Sequence, residues 1–169
     1  RDRSVSRGLG DVYKRQIYGA TGTGKTRGVL DEHGDSQVYR VSDYQHPFDS
    51  YACQPVIAFD EFRSGIRIGD MLEYLDIYPV ELPARFTNKY ACYNTVYIIS
   101  NWSLLEQYRD VQRDSPTSWN AFLRRIHEIR YHHEDGTVDI YNSVEDYMNR
   151  ERNFCRVSEK EISELPFIE

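Results

Sequence analysis

The stretch IYGATGTGKT, from Ile17 to Thr26, constrains this chain more than any other feature. It meets the pattern G-x-x-x-x-G-K-[ST] at Gly19, Gly24, Lys25 and Thr26, and each fixed position answers a physical need. Glycines admit backbone conformations closed to other residues, so the N–H groups from Gly19 through Ala20, Thr21, Gly22, Thr23 and Gly24 can turn inward onto phosphate oxygens. Lys25 adds a cation for the outer phosphates, and Thr26 a hydroxyl for Mg2+. The following TRGVLDEHG predicts a helix that Gly34 ends, and its N-terminal dipole favours the same anion. Cofactors of this reading are ATP and Mg2+. A phosphate loop of this kind follows a buried strand, which predicts an α/β P-loop NTPase fold with a mostly parallel central sheet flanked by helices.

One domain is the default for 169 residues. No apolar run reaches the roughly 20 residues that a membrane span needs, and no signal peptide is visible, so no membrane partner and a reducing compartment are expected. Cys53, Cys92 and Cys155 are odd in number and far apart, which reads as structural thiols rather than a zinc site or a disulfide framework. The net charge of −6 does not announce a nucleic-acid protein, so any strand contact must come from a local cluster. Residues 1–16 are the exception, with five Lys or Arg against two Asp or Glu. They put Lys14, Arg15 and Gln16 where the buried strand should end, and they resemble a read-through tail, so the domain is expected to start at Ile17 and the native chain further upstream.

Further along, QVYRV predicts a strand, and Val56 to Phe59 predict a central strand buried on both faces. GDMLEYLDIYP predicts a helix ending at Pro79, and ELPARFTNKYACYNTVYIISN a strand, a turn at TNK, a strand and a second buried strand up to Asn101. SLLEQYRDV with Ser103 as cap and SPTSWNAFLRRI entered through Pro116 predict helices. A hairpin is expected at Asp135 and Gly136, then an S-x-x-D capping box at Ser143 that opens a C-terminal helix. The resulting division is 17–142 for the core domain and 143–169 for the C-terminal helix and acidic tail.

Two acids follow the first buried strand. Asp60 can hold the water shell of a Mg2+ bound by Thr26, and Glu61, pointing elsewhere, can polarise an attacking water as general base. Asn101, a neutral amide at the end of the other buried strand, can orient that water. An N-K-x-D motif, expected of a GTPase, is absent from the sequence.

The phosphate loop, FDEF and a strand ending in SN, in this order, resemble the superfamily 3 helicases of replication initiators from small circular single-stranded DNA elements, over roughly Ile17 to Ile129. The resemblance implies an AAA+-like ATPase that forms a ring, a hexamer in that family, and translocates on single-stranded nucleic acid, DNA more than RNA. Lys25 and Thr26 would bind phosphates and Mg2+, Asp60 and Glu61 would be the acidic motif, and Asn101 the sensor. It also implies an arginine, Arg125 or the adjacent Arg124, that reaches the neighbouring subunit's ATP site. A nucleic-acid-gripping hairpin would carry Arg85 and Lys89, with Tyr90 and Tyr93 nearby for packing or stacking. His132 and His133 do not form the metal pair of the nicking domain such proteins often carry, and read as surface residues. The implied location is the cytoplasm of a bacterium or of a virus-infected host cell, or its nucleus. RNA-strand translocation and a nucleotide-dependent scaffold without unwinding are the competing functions.

Overall fold

The structure, a computed structural model, describes residues 13–19, 21–76, 78 and 80–151, with the side chains of 13–16 outside the description. Its frame is a six-stranded sheet in the order β2-β3-β6-β1-β7-β8. The strands are β1 (Tyr13–Gly19), β2 (Val38–Val41), β3 (Val56–Phe59), β6 (Thr95–Ser100), β7 (Glu128–His132) and β8 (Val138–Tyr141). All neighbours run parallel except β7 and β8, which form the antiparallel hairpin turned at Asp135 and Gly136. A two-stranded ribbon, β4 (Glu81–Leu82) and β5 (Lys89–Tyr90), stands apart from the main sheet.

Period-two alternation divides the sheet into two apolar faces. Ile17, Val38, Val56, Ala58, Tyr97 and Ile99 bury one face under Val29 and Leu30 of α1 (Lys25–His33). Ile57, Phe59, Val96 and Ile98 bury the other against α2 (Ile68–Tyr74), α4 (Pro116–Arg124) and the helix 144–151, here α5. A shorter α3 (Arg109–Asp114) precedes α4. Every residue of β3 is buried, as expected for a strand covered on both sides. Gly34 ends α1 at φ 86 and donates its N–H to Leu30 O at 2.8 Å. Ser143 caps α5, its Oγ accepting from the Asp146 N–H at 3.1 Å.

Four expectations are corrected. The boundary before Ile17 falls inside β1, because Tyr13 to Gln16 pair with β6, and Arg15 and Gln16 with β7. Strand pairing uses backbone groups, which Lys14, Arg15 and Gln16 carry like any residue. Residues 1–12 lie outside the described residues, as do 152–169, which include most of the expected tail and Cys155.

The single helix expected after Ser103 is instead a 3-10 turn, Leu104–Glu106, with a capping box at Ser103, followed by α3. Gln107 and Tyr108 interrupt it. The fully buried Gln107 amide donates to Phe62 O and Ser100 Oγ, and Tyr108, at φ 49, donates its hydroxyl to Ile66 O at 2.6 Å. The turn between β4 and β5 spans residues 83–88 rather than the expected TNK, since Leu82 pairs with Lys89.

The cysteine reading also changes: Cys53 and Cys92 form a disulfide, with Cα atoms 5.0 Å apart across a sequence separation of 39. The bond ties the loop before β3 to the segment before β6. For a closed loop of this size the chain-entropy account gives about 3–4 kcal/mol. Thermal unfolding with and without dithiothreitol is expected to show a lower midpoint for the reduced protein, and Cys53→Ser should unfold at one midpoint in both conditions.

Candidate functional site

The C-terminal ends of β1, β3 and β6 open onto one cavity of about 220 Å³. β1 leaves the sheet at Gly19, φ 150, where an added Cβ would lie 2.2 Å from the His132 carbonyl oxygen of β7. Only glycine lets the strand end this close to its neighbour. Gly22 and Gly24 follow at φ 82 and 77. Lys25 then opens α1, and Gly24 O accepts the Gly28 N–H at 2.9 Å. Ala20 lies outside the described residues.

Lys25 is buried, and its ammonium donates to Gly19 O at 2.9 Å, Asn101 Oδ1 at 3.1 Å and Thr23 Oγ at 3.4 Å. Burial pulls its pKa below the usual lysine value, and the attraction of Asp60 partly opposes that. Thr26 donates its hydroxyl to Asp60 Oδ1 at 2.9 Å, across 34 residues of sequence. Asn101 also donates from Nδ2 to Thr21 Oγ at 3.0 Å. The sequence-derived residues therefore form two bonded groups, Thr21 with Asn101 and Lys25, and Thr26 with Asp60, that line one cavity together with Glu61.

Asp60 is buried and Glu61 exposed, although they are neighbours. Glu61 adopts φ 49, a left-handed backbone that costs a non-glycine residue about 1–2 kcal/mol. Its N–H donates to Asp60 Oδ1 at 3.0 Å, while Tyr44 donates its hydroxyl to Asp60 O at 2.6 Å.

The donor chemistry fits a polyphosphate with one hard divalent cation. The Thr26 hydroxyl gives its proton to Asp60 and keeps acceptor capacity on its oxygen, beside a carboxylate. Among the described residues no group of three or more His, Cys, Asp or Glu is arranged to hold a metal ion. A cation with one or two protein ligands and the rest from phosphate and water is what Mg2+ accepts.

Two residues at the site escaped the sequence reading. Arg40 of β2 contacts Asp60 Oδ2 through Nε and NH2, both at 2.6 Å. The signal was available: in QVYRV, period two puts residue 40 on the same face as Val38, under α1. His132, expected at the surface, is half-buried with Nδ1 3.4 Å from Thr23 O. Burial lowers its pKa, with smaller contributions in the same direction from Lys25 and Arg130. His133 is half-buried as well and pairs with Asp139 at 2.8 Å.

The remaining residues lie away from this cluster. Arg125 caps α4, donating to Ala121 O at 3.0 Å and pairing with Asp76 at 3.5 Å, whereas Arg124 is exposed. Arg85 sits in the 83–88 turn and is bound to Asp49, through its backbone N–H at 3.0 Å and its Nε at 2.5 Å. Lys89 lies in β5, at the base of the turn, half-buried. Phe86 in the same turn is 92% exposed. Tyr90 is exposed too, but Tyr93 is buried and donates its hydroxyl to Tyr74 O, so it belongs to the core.

No known protein family and no curated protein matches this sequence.

Gly19→Ala is expected to push β1 from β7 and to lower unfolding stability by about 3 kcal/mol, the upper range for overpacking. Chemical denaturation reads this directly; a change below about 0.5 kcal/mol would show that the close approach to His132 is not required.

Proposed function

We propose that this chain is the ATP-hydrolysing domain of a superfamily 3-type helicase, a P-loop NTPase working on single-stranded nucleic acid, with DNA favoured. The observation that carries the reading is the pairing across one cavity of groups far apart in sequence: Lys25 with Asn101 across 76 residues, and Thr26 with Asp60 across 34. A glycine-rich turn with no ligand role has no need to gather the ends of three strands around a buried lysine. The sheet order supports the same reading, because β6 lies between β1 and β3 and so carries Asn101 between the phosphate loop and the acids.

In this mechanism the loop N–H groups and Lys25 bind the β and γ phosphates, so the ammonium exchanges its present contacts with Gly19, Thr23 and Asn101 for phosphate oxygens. Mg2+, held through Thr26 and Asp60, would neutralise charge on the phosphates. Glu61 takes a proton from water as the water oxygen bonds to the γ-phosphorus. The bond from that phosphorus to the bridging oxygen breaks, leaving ADP and inorganic phosphate. Asn101, released by Lys25, orients the water.

Hydrolysis becomes movement through β6. The 83–88 turn lies just upstream of that strand, so a shift at Asn101 can tilt it. Phe86 is the side chain exposed for base stacking, Lys89 the cation for phosphate, and Arg85 acts mainly by holding the turn to Asp49. A ring of subunits would bring Arg124 or Arg125 to a neighbour's site; Arg124 is the exposed one, whereas Arg125 must first leave Asp76. No helix among the described residues is long and apolar enough to cross a membrane.

Lys25→Ala is expected to abolish ATP hydrolysis and weaken nucleotide binding, while Glu61→Gln binds ATP without turning it over. Fluorescent-nucleotide titration and phosphate release measure the two effects separately. Wild-type turnover in Glu61→Gln would remove it from the base role.

Phe86→Ala should cost about 1–3 kcal/mol in single-strand affinity. Lys89→Ala should lower the salt slope of binding by about one unit per engaged subunit, with basal ATPase kept within a few fold. Strand-stimulated ATPase and unwinding, measured side by side, decide the assignment. Turnover indifferent to every strand would favour a nucleotide-dependent scaffold.

A further inference from the structure

Asp60 has its two carboxylate oxygens committed to different tasks. Oδ1 accepts from the Thr26 hydroxyl and the Glu61 N–H, while Oδ2 takes both the Nε and an NH2 group of Arg40. The arginine comes from β2, the edge strand beside β3, with Arg40 and Ala58 in register. Its side chain is 52% exposed and that of Asp60 4%, so the guanidinium spans from solvent to a buried carboxylate. Tyr44 fixes the Asp60 backbone through its carbonyl. The carboxylate can therefore turn only about its own side-chain bonds, and Arg40 holds one end of it.

We propose that Arg40 is a positioning residue that keeps Asp60 Oδ1 facing Thr26, and that it is the resident cation at Asp60 with which Mg2+ competes. On this basis Arg40 sets the Mg2+ concentration at which nucleotide binds. The inference rests on the nucleotide-binding reading above. Arg40 and a divalent cation at Thr26 and Asp60 share one carboxylate, and two like charges around one acid oppose each other. A pair of charge-assisted bonds to a buried acid is also strong enough to matter. Without Arg40, Asp60 turns its uncompensated charge toward whatever cation is nearest, and the metal is held at lower concentration but in a less defined geometry. Lysine cannot restore this fully, because it offers a single point charge where arginine offers two donors in a fixed fork.

The test is a Mg2+ titration of binding of a ribose-labelled fluorescent ADP to the purified chain, for wild type, Arg40→Ala, Arg40→Gln and Arg40→Lys. The Mg2+ midpoint is expected to fall about tenfold in the Ala and Gln variants, in line with the loss of a charged hydrogen bond, and to recover in part in the Lys variant. Circular dichroism checks folding, and Gln and Lys carry the comparison if Ala does not fold. An unchanged or raised midpoint in Ala and Gln overturns the proposal alone, as does weaker nucleotide binding in EDTA at an unchanged midpoint, which would make Arg40 a phosphate ligand. A wild type that binds no nucleotide with or without Mg2+ overturns the nucleotide reading as well.

Discussion

Everything at the site depends on the parallel pairing of β6 between β1 and β3. Tyr18 lies in register with Ser100, and Phe59 with Ile98, so the three strands end within a residue or two of one another at the same edge. Parallel strands send their following loops to the same side. The glycine-rich loop after β1, Asp60 with Glu61, and Asn101 are therefore brought together by backbone hydrogen bonds that lie outside the site. Distant sequence meets there because the strands between pair in register along their length, with both faces of the sheet buried under helices.

Charge is the second constraint. The half-enclosed cluster holds Lys25, Arg40 and Asp60 in mutual contact or attraction, so each cation compensates the same acid. Lys25 is buried deeply enough that burial lowers its proton affinity, while Arg40 keeps its exposed end in water.

Behind the site stands a rigid polar layer. Buried Ser100 and Gln107 bond each other and Phe62 O, Ser64 Oγ accepts the Tyr108 N–H at 2.8 Å, and the Trp102 N–H returns to Ser100 Oγ at 2.9 Å. Glu61, Ser64 and Tyr108 all take left-handed backbones within or beside this layer. Such conformations persist only where surrounding bonds over-determine them. Asn101 follows this layer directly after Ser100, and its side chain bonds Lys25 and Thr21.

What the sequence determined by itself was local chemistry. The glycine pattern of the loop after β1, the helix stop at Gly34, the buried strands ending at Phe59 and Ser100, the cap at Ser143 and the turn at Gly136 all follow from residues a few positions apart. The helix expected after Ser103 fails for the opposite reason, since the bonds of Gln107 and Tyr108 to Phe62, Ser100 and Ile66 are invisible locally. The tertiary structure alone decided which polar groups became partners. Arg40 went to Asp60, Arg85 to Asp49, Arg125 to Asp76 and Cys53 to Cys92, and charged residues 14 and 15 entered the central strand. A long side chain is indifferent to its sequence neighbours once the sheet has fixed the chain path. Its partner is whichever complementary group that path brings within reach.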